Sequence, residues 1–177
     1  MIDHERKCFF LHIGRTGGTS IDYAFCGGVA THKHWRPNEV IDLIGIEKWK
    51  EYFKFSFVRN PWDRMVSMYF YRRDVRQVTP TDMSFKGFVR WIHFDCDPHT
   101  QMRWFQGRLE EMDFVGRFEN LKEDFQIVCE RVGLEVELPH HEGTVHDHYT
   151  TYYDLETRQL VADYYRTDIK KFGYSFH

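Results

Sequence analysis

The sequence has no apolar run approaching the about 18 to 20 residues that a membrane-spanning helix needs. It also lacks paired cysteines. Cys8, Cys26, Cys96 and Cys129 lie far apart with no C-x-x-C among them, which suggests neither a disulfide framework nor a zinc ribbon. Reduced thiols in a cytoplasm fit that usage, and the opening "MIDHERKC" is too charged to begin a secretory signal. An excess of positive charge is missing as well. A formal net charge of -3 gives no overall field for nucleic acid or a polybasic membrane contact, so neither is an expected partner and any anion site must be local. No repeat, low-complexity tract or Pro/Gly/Ser linker divides the chain. With 177 residues, 42% hydrophobic and 18% aromatic, one substantial core can be buried, so a single domain over 1–177 is expected. Nothing in the sequence sets an oligomeric state.

Against those absences stand short, strongly patterned segments. Residues 7–13 ("KCFFLHI") and 53–58 ("FKFSFV") are aromatic and branched runs stopped by polar or turn residues, which reads as buried strand. A weaker strand candidate is "MDFVGRF", 112–118. Helical patterns fall at about 19–26, 38–52, 61–73, 84–94, 121–132 and 154–171. In the 121–132 helix, Leu121, Phe125, Val128 and Val132 form one apolar stripe that Gly133 ends. Strands alternating with helices predict an α/β fold with a central parallel sheet, whose ligands gather at the carboxyl ends of the strands.

The first such end is the loop "IGRTGGTS", 13–20. Gly14, Gly17 and Gly18 allow a tight turn and a close approach of backbone N–H groups, while Thr19 and Ser20 open a helix whose N-terminus favours an anion. Arg15 adds a planar cation suited to phosphate or sulfate oxygens. The same residues also suit a plain strand-to-helix turn with Thr19 as its cap. A nucleoside-triphosphatase loop would need a lysine before the hydroxyl, and Gly18 stands there instead.

The second end is "FSFVRNPWDRMVSMYFY", 55–71. Asn60 suits a helix cap and Pro61 the first helical position, which fixes Arg59 at the strand tip. Ser67 lies two turns further on. Arg59 and Ser67 can share one anionic group; equally, Arg59 can pair with Asp63 and Ser67 can serve as a small packing residue.

Taken together, "IGRTGGTS" and "FVRNPWDRMVSMY" resemble the paired signature of the sulfotransferases that use 3'-phosphoadenosine 5'-phosphosulfate (PAPS). "DFVGRFENLKEDF" (113–125) and "DIKKFGYSF" (168–176) extend the likeness to the carbohydrate-type, or family 2, members. The resemblance implies a P-loop-like three-layer α/β/α fold and sulfuryl transfer to an acceptor hydroxyl, expected on a glycan, with adenosine 3',5'-bisphosphate (PAP) leaving and no metal required. It further implies that Arg15, Thr16, Gly17, Gly18, Thr19 and Ser20 hold the 5'-phosphosulfate, and that Arg59 and Ser67 hold the 3'-phosphate. One departure stands out: the family usually has Pro-Lys where this chain has Gly14-Arg15. The acceptor hydroxyl must lose a proton, and the segment "ATHKHWRPNEV" offers His32 and His34 as candidate bases; the resemblance implies His34 as the preferred base, with His32 as the reserve and Glu39 or a carboxylate elsewhere as the alternative.

Other segments allow more than one role. The histidines of "PHHEGTVHDHY" (139–149) lack the pattern of a known metal-ligand set; the resemblance implies instead that Thr144, His146 or His148 touches nucleotide. Arg103 and Arg108 can face an anionic acceptor or solvent. Trp62, Tyr69, Phe70 and Tyr71 are mostly expected to pack the sheet, with one ring available to stack on adenine. A P-loop nucleotide kinase and a nucleotide-binding module without catalysis are the competing functional classes.

Overall fold

A computed structural model describes residues 1–27, 34–95, 100–139 and 146–177. His32 and Thr144, both singled out by the sequence, lie outside the described residues. The chain forms two compact units, Met1–Val58 with Gln101–Glu142, and Arg59–Thr100 with Gly143–His177.

The first unit is built on a four-stranded sheet in the order β1 (Ile2–Asp3), β2 (Cys8–Leu11), β3 (Phe53–Val58), β4 (Phe114–Arg117). β2, β3 and β4 run parallel, with Phe10 opposite Phe55 and Phe57 opposite Gly116. The short β1 is antiparallel to β2, with Ile2 opposite Phe9, and the sequence pattern gave no sign of it. Every residue of β2 is buried, as expected of a parallel strand covered on both faces.

Side chains alternate across the sheet and meet different helices. Phe10, Phe55 and Phe57 form one core with Ile21 of α1 (Gly18–Phe25) and with Phe125 and Val128 of α7 (Leu121–Val132). Phe9 instead meets Trp49, on the helix α3 (Ile46–Glu51), with ring centres 5.5 Å apart. A fully buried Phe or Leu in such a layer contributes on the order of 1.5–3 kcal/mol. The polar residues of β3 are satisfied within the unit. Ser56 Oγ donates to the Leu11 carbonyl at 2.8 Å, and Lys54 pairs with Asp113 at 2.8 Å.

One expected helix over 38–52 is two, because Gly45 at φ 84° ends α2 (Pro37–Ile44) before α3 begins. Glu39 accepts a hydrogen bond from the Arg36 N–H at 2.8 Å, so its side chain closes the start of α2.

In the second unit, α4 (Pro61–Phe70) runs into a π-helical turn at Tyr71–Val75, and α5 (Phe85–Asp95), α8 (Leu155–Tyr164) and α9 (Arg166–Phe172) complete the helical framework. The short α6 (Gln101–Trp104) belongs to the first unit. Trp62, Tyr69, Phe88, Ile92, Val161 and Tyr165 form the second core. Trp62 and Tyr69 are thus packing residues. The helix expected over 154–171 breaks at Tyr165, a fully buried ring that ends α8 and precedes α9. Lys86 and Arg90 of α5 grip Asp154 and Glu156 at the start of α8, at 2.5–2.7 Å.

Candidate active site

At the carboxyl end of β2 the backbone leaves the sheet through a turn that two residues make left-handed, Arg15 at φ 67° and Gly17 at φ 81°. A left-handed arginine is uncommon, and such strain recurs where a loop is shaped for a ligand. Gly17 is the N-cap of α1 and has no side chain with which to occupy the first-turn N–H groups. The alternative of Thr19 as cap does not hold, because the helix already begins at Gly18. Thr16 is fully buried and its hydroxyl donates to the Ile13 carbonyl at 2.8 Å, which staples the turn to the strand. Gly14 has no positive φ and open space where a Cβ would sit, so the turn does not depend on it for geometry.

Directly below this turn lies a group that the sequence reading passed over as strand filler. His12 is buried, and its Nδ1–H donates to Asp22 Oδ2 on α1 at 2.9 Å. Its imidazole approaches the helix so closely that a Cβ on Gly18 would lie 2.1 Å from Cδ2 and 2.2 Å from Nε2. Burial pushes His12 below its ordinary value more strongly than the Asp22 hydrogen bond raises it, so the ring is neutral near pH 7. A signal existed in the sequence. A histidine inside "FFLHI" must find a partner once buried, and Asp22 stands within the next helix.

His34 sits against the same ring. Its Nδ1 donates to the His12 carbonyl oxygen at 2.9 Å, and the two ring centres are 4.3 Å apart. Because a carbonyl can only accept, Nδ1 carries the hydrogen, and in the neutral ring Nε2 holds the lone pair. Trp104 of α6 is a further neighbour, 5.7 Å from His34 between ring centres, and Arg36 stacks over that indole at 4.9 Å.

In the second unit, Asn60 caps α4 by accepting the Trp62 N–H at 3.0 Å, and Pro61 takes the first helical position. Arg59 precedes them, buried, with its Nε on Asp63 Oδ2 at 2.8 Å. The Arg59–Asp63 pairing that the sequence left open is therefore present. Ser67 is buried on α4.

The remaining candidates have local partners. His146 stacks on Phe70 at 5.6 Å, and His148 Nδ1 is 2.8 Å from Thr150 Oγ1. Arg108 bonds Asn38 at 2.9 Å and Glu111 at 2.7 Å, which ties its charge to the protein. Among the described residues no cluster of three His, Cys, Asp or Glu side chains could hold a metal ion, and no helix is long and apolar enough to cross a membrane.

Comparison with known proteins agrees with this architecture. The profile described as the sulfotransferase family matches residues 1–175. An uncharacterized protein of Archaeoglobus fulgidus is 33% identical over 97 residues, covering 54% of this chain and 79% of the relative. No solved structure gives a significant match.

Proposed function

The chain belongs to the sulfotransferase family, and on that premise we propose that it moves a sulfuryl group from PAPS to an acceptor hydroxyl on a glycan, with PAP as the product. The observation that carries this reading is the strained glycine turn at the end of β2, where Arg15 and the first turn of α1 offer a cation and backbone donors at one strand tip. Arg15, Thr16, Gly17, Gly18, Thr19 and Ser20 hold the 5'-phosphosulfate, with Arg15 and the loop N–H groups stabilising the charge that grows on the leaving phosphate and Thr19 hydrogen-bonding the same group. Removing one such donor in comparable sites costs about 2.7–4 kcal/mol of transition-state stabilisation. Arg59, oriented by Asp63, and Ser67 bind the 3'-phosphate.

The bound donor supplies the sulfuryl group, and the protein supplies position and proton transfer. His34 is the base. Its Nδ1–H is committed to a carbonyl, which leaves Nε2 to receive the proton of the acceptor hydroxyl. His32 is the reserve candidate. We read the whole chain as one domain of P-loop-like α/β/α type, a reading supported by a profile match that spans both compact units and by helices on each face of the sheet. The free thiols of Cys8, Cys26 and Cys129 suit a cytoplasmic enzyme.

One observation favours a second reading. Arginine in place of the usual lysine at position 15 alters the point charge at the transferring group, which fits a nucleotide-binding module without turnover. Turnover of sulfur-labelled PAPS with a panel of glycan and small alcohols decides between them. Labelled product that persists in a chelator supports sulfuryl transfer. PAP binding without any product supports the binding module, and a magnesium-dependent phosphoryl transfer from ATP would make the protein a kinase.

A further inference from the structure

Asp22 is a costly side chain to keep in the first unit. It is fully buried on α1; one carboxylate oxygen accepts from His12, and the other, Oδ1, has no hydrogen-bond partner among the described residues. A buried charge with half its hydrogen bonds unmade is expensive. Its position makes the cost greater, because it lies one helical turn beyond the residues that would hold a polyanionic donor, and a carboxylate there opposes anion binding.

Among the described residues, burial holds the ionisable neighbours of this carboxylate toward their neutral forms. His12 is neutral, as argued above. The Met1 amino group, which donates to the Phe10 carbonyl at 2.9 Å, is pushed toward its neutral form by burial. The thiols of Cys8 and Cys26 are held protonated, with Cys8 pushed up to about 12. The Asp22 carboxylate therefore stands behind the His12 ring, and the ring beside His12 is His34.

Resting on the reading of His34 as the base, we propose that Asp22 is a positioning residue for the proton transfer. Its carboxylate holds the His12 imidazole in the space that Gly18 leaves open, and its charge stabilises the imidazolium that His34 becomes. In the balanced step, the acceptor O–H bond breaks as an N–H bond forms at His34 Nε2. The acceptor oxygen bonds to sulfur, and the bond from sulfur to the bridging oxygen breaks with its electron pair leaving on PAP. Asp22 and His12 neither gain nor lose a proton.

The test is Asp22→Asn, whose amide oxygen can still accept the His12 Nδ1–H while the charge is gone. Turnover of labelled PAPS should fall about ten-fold or more, whereas PAP, measured by calorimetry, should bind more tightly than to the unaltered chain. A purely structural Asp22 gives the opposite pattern, with turnover, PAP affinity and melting temperature all lowered together, and that result overturns the proposal. An Asp22→Asn chain that fails to fold also counts against it, because a residue that acts through its charge alone is dispensable to the fold. The base assignment is read separately with His34→Ala. If His34→Ala loses turnover and Asp22→Asn costs nothing, the base stands and this inference falls; if His34→Ala retains turnover, the base assignment itself fails and the inference with it. If both are right, Asp22→Asn adds no further loss in the His34→Ala background.

Discussion

The imidazole of His12 fills the space that any side chain at position 18 would need, with His12 Nε2 2.2 Å from where a Cβ would stand. Gly18 is therefore required by contact and not by backbone angle, since its φ is not among the positive ones. Gly18→Ala should destabilise the fold by about 1–3 kcal/mol through overpacking and should weaken PAP binding by displacing the first turn of α1. Gly14→Ala meets nothing within 4 Å and should change stability by less than about 1 kcal/mol, in either direction. Urea unfolding of the two variants checks the contrast, and equal losses would show that the turn, not the His12 contact, dictates both glycines.

Much of this framework was legible in the chain itself, where pattern and punctuation agree. β3 covers the expected 53–58 and α7 the expected 121–132, because an apolar run or stripe is bounded in each case by a clear stop such as Gly133 at φ 66°. The Asn60-Pro61 start of α4 was legible for the same reason. What escaped was long-range pairing. β1 has two residues, too few to show an alternation, and exists only through its register with Phe9 and Cys8. His12 and Asp22 become partners only when β2 and α1 fold together, and no periodicity announces that. Gly45 was visible, but a lone glycine in a helical pattern does not declare whether it will be tolerated or will turn left-handed, as it does here.

Arg59→Ala should weaken PAP binding by roughly 1.5–3 kcal/mol, or about one to two decades, while hardly affecting adenosine 5'-phosphate. The complication is Asp63, which the substitution leaves without its Nε partner. Arg59→Ala combined with Asp63→Asn removes that complication and should show the same selectivity. Calorimetry with both nucleotides is the measurement, and equal losses for the two ligands would detach Arg59 from the 3'-phosphate.

The thiols should react in an order set by burial. Cys8 is fully buried and its thiol is pushed up to about 12, so almost no thiolate forms at pH 8. Cys129 is buried and raised for the same reason, whereas Cys26 is partly exposed. Alkylation of the native chain followed by peptide mass spectrometry should label Cys26 before Cys129, and Cys8 only after unfolding. Early labelling of Cys8 would mean that β2 opens locally.

His12 should leave a signature in the pH dependence of stability. Burial lowers its folded value below the ordinary 6.5, so between those two values the unfolded chain binds a proton that the folded chain refuses. Stability is then full above about pH 6.5 and falls as the pH drops through that window, with a slope of up to about 1.4 kcal/mol per pH unit from this one group. Carboxylates such as Asp3, held below the usual range by Arg6 despite an opposing cost of burial, add their own loss at lower pH. The comparison that isolates His12 is His12→Asn, which offers an amide to Asp22 and cannot titrate. Denaturant midpoints between pH 5 and 7.5 should run steeper in the unaltered chain than in the variant. Parallel curves would mean that His12 accepts a proton in the folded protein, and Asp22 would then hold an imidazolium, not a neutral ring.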